Sequence, residues 1–138
     1  MINVRKVLCL MALLMVPMSV SAQCPQYRET AQAPDDIYWQ QNPLAADRGS
    51  FKAGKKLWKR NDCVKCHGKR GDGLGPLAKS FAPPPRNLAC AEMMADIPDG
   101  QLFWIIRNGS QDTAMPAYPD FSDEQIWQLV TAIRKFAE

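Results

Sequence analysis

Apolar residues recur at helical spacing in three stretches of the chain, and no stretch alternates convincingly as a strand. Over 50–61, Phe51, Gly54, Leu57 and Trp58 share one side and lysines take the other. Gly54 costs such a helix about 1 kcal/mol relative to Ala, so its presence points to another backbone passing close. Over 99–108, Leu102, Phe103, Ile105 and Ile106 supply an apolar face, Asp99 is placed to cap it, and Gly109 is a suitable stop. The clearest helix covers 122–137. Ile126, Leu129, Val130, Ile133 and Phe136 recur there, Ser122 and Gln125 form a capping-box pair, and Arg134 and Lys135 oppose the negative end of the helix dipole. Between the first two helices, 68–85 is rich in Gly and Pro and reads as loop. Ahead of them, 23–48 is polar, with Pro25, Pro34 and Pro43, and reads as an extended surface leader with a short helical turn over 35–41. The fold class is all-α with long loops, and no internal repeat is visible.

The N-terminus follows a different pattern. Arg5 and Lys6 precede an almost unbroken apolar run over 7–18, and Val20-Ser21-Ala22 offers small residues for cleavage. This is the plan of a secretory signal peptide. The run has about a dozen residues where a membrane span needs roughly 20. Gln23 fills the position before Cys24 where a lipoprotein signal expects a small residue. The expected organisation is a signal at 1–22, a leader at 23–49 and a domain at 50–138. The mature protein is expected to be soluble and periplasmic, in a compartment that tolerates disulfides.

Composition narrows the chemistry. The 138 residues are 46% hydrophobic and 22% charged, with a net charge of +3, one His and five Cys. That suits one globular domain, and so small a charge gives no reason to expect nucleic acid. A single His excludes multi-His metal sites.

That His stands in Cys63-Val64-Lys65-Cys66-His67, the C-x-x-C-H signature of covalent haem c attachment. Two thiols at this spacing add to the two vinyl groups on one porphyrin edge, and the next residue is held under the iron. A thioredoxin-like pair would need a βαβ setting, and a zinc site would need a second ligand pair; neither is present. The sixth iron ligand must then be a methionine: Met93, Met94 or Met115. Met93 and Met94 lie between core elements and read as packing. Met115 lies forty-eight residues after His67, in Thr113-Ala114-Met115-Pro116, between two helices. Pro116 holds Met115 away from the helical conformation, which suits a thioether offered to a metal.

With these motifs the chain resembles the small monohaem class I cytochromes c, from Gly54 to Ala137. The resemblance runs through Gly54 to Trp58, the C-x-x-C-H, Gly71-Asp72-Gly73, Gly75-Pro76-Leu77, Pro84 to Leu88, the Met115-Pro116 loop and the Ile126-Trp127 helix. It implies three to five helices around one haem c. It implies that the first and last helices cross at Gly54 near Trp127 or Val130. It also implies that the Pro76 carbonyl accepts a hydrogen bond from His67, fixing the ring. Arg86 is a candidate partner for a haem propionate; the alternative is a solvated surface charge.

Cys9 goes with the expected signal, and haem attachment then leaves Cys24 and Cys90. Two spare thiols in an exported protein can form a disulfide, which would close 66 residues and contribute roughly 4 kcal/mol on the chain-entropy view. The alternatives are two buried thiols, or Cys24 pairing with another chain.

Iron held by His67 and Met115 has no open position, and Met raises the potential relative to a second His. The expected function is therefore one-electron transfer. A haem-bearing subunit of a periplasmic oxidoreductase complex would have much the same sequence, and a small haem enzyme or gas sensor with a labile Met is a third class. Residues 48–86 hold eleven basic and two acidic residues, a net +9, and 87–138 hold three against eight, a net −5. The basic half carries the haem motif. It is either an ordinary solvated face or a surface steered toward an acidic patch on a redox partner.

Overall fold

The structure is a computed structural model that describes Cys24, Gln26 and residues 28–138. The signal peptide expected at 1–22 lies outside the described residues. Six α-helices follow in order: α1 Asp35–Tyr38, α2 Arg48–Arg60, α3 Cys63–His67, α4 Ala91–Ala95, α5 Asp99–Asn108 and α6 Asp123–Arg134, with a 3-10 turn at Ala78–Ser80. No strand occurs among the described residues. The all-α expectation holds, with one helix more than the three to five expected because the short α1, α3 and α4 each form a turn or so.

Two helices start where side-chain oxygens capture the orphan N–H groups of the first turn. Ser122 and Gln125 make the capping box of α6 as expected. For α2 the cap is Asp47, whose carboxylate accepts from the Gly49 and Ser50 amides. The helix therefore begins two residues before 50, and a domain boundary at 49/50 falls inside it. Asp99 does not cap α5: Pro98 holds the cap position without a side-chain bond. The Asp99 carboxylate instead accepts from the Asn42 amide and from Arg134 Nε. Arg134 also donates to the Met94 and Ile97 carbonyls, so it ties α4, α5 and α6 together and is not simply a dipole-opposing charge.

The core gathers on α6, whose Ile126, Trp127, Leu129, Val130 and Ile133 are buried with Trp58 of α2 and Leu102 and Ile106 of α5. Helices α2 and α6 cross at Gly54. A Cβ there would lie 2.0 Å from the Gln128 carbonyl oxygen and 3.0 Å from Ala132 Cβ. The α6 atoms nearest a Cβ at the crossing thus belong to Gln128 and Ala132. Met93 and Met94 are buried in α4, as packing residues should be.

The leader is built into this core rather than laid over it. Ala33 and Asn42 are buried. Asn42 Nδ2 donates to the Trp127 carbonyl and to Thr131 Oγ1, both on α6. Helix α1 packs on α5 so closely that a Cβ on Gly100 would sit on the Ile37 carbonyl oxygen at 1.7 Å. Cys24 and Cys90 form a disulfide, which fixes the start of the described leader to the residue ahead of α4.

Candidate functional site

The C-x-x-C-H motif is itself α3, a single helical turn entered through Asp62 in the left-handed region (φ 61°) and left through Gly68 (φ 80°). A turn this short leaves most of its carbonyls without helical partners, and the Gly-rich loop supplies them. Gly73 donates to the His67 carbonyl, Gly75 to Cys66 and Leu77 to Lys65, at 2.8–3.1 Å. Gly75 has no alternative, since a Cβ there would meet the Lys65 carbonyl oxygen at 2.4 Å. The buried Trp58 indole N–H donates to the Gly68 carbonyl at 3.0 Å, locking α2 onto the end of α3.

Cys63, Cys66 and His67 open onto a cavity of about 310 Å³, within the size class of small-molecule and cofactor sites, about 300–1,000 Å³. Helix α5 lines it with Leu102, Ile105 and Ile106, and α6 with Leu129 and Ile133. The loop after α5 adds Thr113, Met115, Pro116 and Tyr118, and Arg28 and Arg86 contribute the cationic part of the lining. One apolar cavity therefore brings together the motif, the methionine and Arg86.

It does not include Pro76. That residue is exposed and lines a separate depression with Lys65, Lys69 and Arg70. His67 Nδ1 pairs instead with the Arg86 carbonyl at 3.2 Å. The amides of Gly75 and Leu77 are bonded to the carbonyls of α3, which holds the Pro76 segment along that turn. Leu88 donates to the Gly71 carbonyl and so draws 85–88 in beside the ring. An acceptor at Nδ1 puts the ring proton there and leaves the Nε2 lone pair for a metal. Burial holds the His67 pKa below its ordinary value, reinforced by the Arg28 and Arg86 charges and opposed by the Arg86 carbonyl. The imidazole is thus neutral at neutral pH, the form that ligates.

Neither motif cysteine takes part in a disulfide. Burial pushes the Cys63 thiol up to about 11. Met115 is held by its own backbone: its amide donates to Thr113 Oγ1 at 3.1 Å and its carbonyl accepts from Ser110 at 3.2 Å. Tyr118, three residues on, donates from its hydroxyl to the Asn61 carbonyl just ahead of the motif. Its phenol is pushed up to about 12, chiefly by burial and then by the neighbouring Cys63.

This donor set fits a haem. Two thiols at C-x-x-C spacing, a neutral imidazole, a thioether and an apolar lining share one cavity. Among the described residues no cluster of three or more His, Cys, Asp or Glu could hold a bare metal ion. Sequence reasoning missed Arg28 and Tyr118. Tyr118 left a faint trace as an aromatic beside the Met-Pro pair; Arg28 left none.

Among the described residues no helix is long and apolar enough to cross a membrane. No curated protein matches the chain. Among solved structures it is similar to a chain of the Kuenenia stuttgartiensis reducing HAO-like protein complex, with a TM-score of 0.61 and 22% identity over 81% of this chain. It spans about half (53%) of that chain's length, and the likeness is one of fold. The family described as cytochrome c oxidase, cbb3-type, subunit III matches residues 49–131. That span begins at the first turn of α2, takes in the haem motif and Met115, and ends inside α6, so the chain belongs to this cytochrome c family.

Proposed function

We propose that the protein is an exported one-electron carrier with a single haem c joined to Cys63 and Cys66 and ligated by His67 and Met115. The observation that carries this reading is the convergence of those four side chains on one apolar cavity. The haem, when bound, supplies a ferric/ferrous couple. The protein orients the imidazole through the Arg86 carbonyl, holds the Met115 loop by its backbone bonds, and keeps water out with the α5 and α6 side chains. Lys65, Lys69, Arg70 and Lys79 are exposed around the motif, with Leu74 and Leu77 among them 49% and 43% exposed. This face suits docking to an acidic patch on a redox protein in the periplasm.

A second reading, a haem-bearing subunit of a periplasmic oxidoreductase complex, draws support from the family's description as an oxidase subunit and from the likeness to a chain of a complex. Haem staining after denaturing electrophoresis tests attachment. The weak long-wavelength band of ferric, Met-ligated haem tests Met115, and its absence together with ready binding of an added ligand would favour an enzyme or sensor. Purification from the native periplasm separates the two main readings: a free monomer supports the carrier, a stoichiometric partner the subunit.

A further inference from the structure

We infer that Arg28, from the leader, and Arg86 form a cationic cleft that takes the two propionate carboxylates of the haem, making the leader part of the cofactor site. The inference rests on the haem reading above.

Arg28 and Arg86 line the same cavity as the haem motif. Arg28 Nη2 donates to the Pro84 carbonyl at 2.8 Å, and Arg86 Nη1 reaches Met93 Sδ at 3.3 Å. Both residues are only partly exposed. Among the described residues every ion pair uses other side chains, so neither guanidinium has a carboxylate within 4.0 Å. Arg28 Nη2 is bonded to the carbonyl two residues before Arg86, so both guanidiniums belong to the same stretch of the cavity lining. Two neighbouring, partly desolvated cations without a counter-ion are unfavourable. A pair of carboxylates relieves the repulsion, and each guanidinium fork matches one carboxylate.

The leader holds Arg28 from both sides. Upstream, Cys24 is bonded to Cys90 and Gln26 Oε1 accepts from the Asn87 amide at 2.8 Å. Downstream, Gln101 donates to the Ala31 carbonyl at 2.8 Å and accepts from the Ala33 amide at 2.7 Å. An arginine tethered this way gives up little further freedom when it binds an anion.

The test is the midpoint potential of purified, haem-loaded protein, measured by spectroelectrochemistry on the parent, Arg28→Gln and Arg28→Lys. Haem staining comes first; a parent without covalent haem overturns the underlying reading and this inference with it. With haem in place, Arg28→Gln should lower the equilibrium constant for reduction about 3- to 10-fold, the effect of one partly buried charge at an effective dielectric constant of about 20 or more. At 59 mV per decade that is roughly 30–60 mV. Arg28→Lys should keep most of the parent potential. An unchanged potential in Arg28→Gln overturns the inference. So does a Lys variant as low as the Gln variant, which would assign the effect to leader packing. The shift should be equal in phosphate and in a zwitterionic buffer; a shift seen only in phosphate would assign the cleft to a free anion and also overturn it.

Discussion

Replacing Gly54 with Ala should destabilise the protein, although the same exchange in an ordinary helix stabilises it by about 1 kcal/mol. The new Cβ would lie 2.0 Å from the Gln128 carbonyl oxygen, 2.7 Å from the carbonyl carbon and 3.0 Å from Ala132 Cβ. Two of these atoms are α6 backbone and cannot rotate away. Relief requires this contact to open by about 1.5 Å, to the ordinary contact distance of about 3.5 Å. Even a gap of about 1 Å forfeits up to about half of the dispersion energy of each facing atom pair. After the propensity gain is subtracted, the net loss should be about 2–3 kcal/mol, the upper part of the usual cost of overpacking. That is a large share of a total stability of about 5–15 kcal/mol. Gly49→Ala is the control. It lies in the first turn of the same helix, and the atoms nearest its Cβ would be those of the Asp47 side chain, from 3.3 Å. Urea unfolding of the haem-loaded protein, followed by far-ultraviolet circular dichroism, should show a lower midpoint at constant slope for Gly54→Ala alone. Because Trp58, Leu129 and Ile133 line the cavity from these two helices, the haem spectrum should shift as well. If Gly54→Ala raises the midpoint as Gly49→Ala does, the close helix crossing is refuted.

Met115→Ala should lower the reduction potential and admit an added ligand such as cyanide to the iron, while far-ultraviolet dichroism stays at the parent value. Met94→Ala should leave potential and ligand binding alone and cost about 2–5 kcal/mol in urea unfolding, since Met94 is 1% exposed. Tyr118 gives a pH dependence. Burial holds its phenol above the ordinary value of about 10 in the folded protein, so above about pH 10 the unfolded chain releases a proton that the folded one keeps. Stability from this group is therefore complete below about pH 10 and falls as pH rises beyond it. Tyr118→Phe should flatten that part of the stability profile relative to the parent; parallel profiles would show that Tyr118 does not contribute.

What could be read from the chain was what adjacent residues encode. The haem motif, the bounds of α5 and the Ser122–Gln125 box depend on side chains within a few positions of one another. Gly54 announced a close crossing but not its partner, because the partner is a carbonyl, and every residue has one. The same holds for His67: any of several carbonyls could accept from Nδ1, and long-range placement of 85–88 against Gly71 chose Arg86 over Pro76. Asp99 fits a cap by its position, yet Arg134 and the Asn42 amide claim its oxygens from 35 and 57 residues away. The leader looked like cover because its composition is polar. Its hold on the core comes from Asn42 and from Gln101, polar residues whose partners are unreadable without the fold.

The proline run at 83–85 shows how an unremarkable loop can organise such a site. Proline has no N–H to offer, so three in succession present carbonyls and no donors. Arg28 takes the Pro84 carbonyl at 2.8 Å. The Pro85 carbonyl lies against Gly73, where a Cβ would approach it to 2.9 Å. The next carbonyl, that of Arg86, takes His67. A segment with surplus acceptors matches what gathers around it, an imidazole N–H and a guanidinium fork, both of which need acceptors. Arg86 then acts twice from one position: its backbone orients the imidazole, and its side chain lends charge to the cavity lining. Substituting the side chain alone leaves the carbonyl in place, whereas shifting the 83–86 backbone disturbs ring orientation and cavity charge together. The geometry of the His67 side of the site and its electrostatics are therefore coupled through this one short stretch of chain.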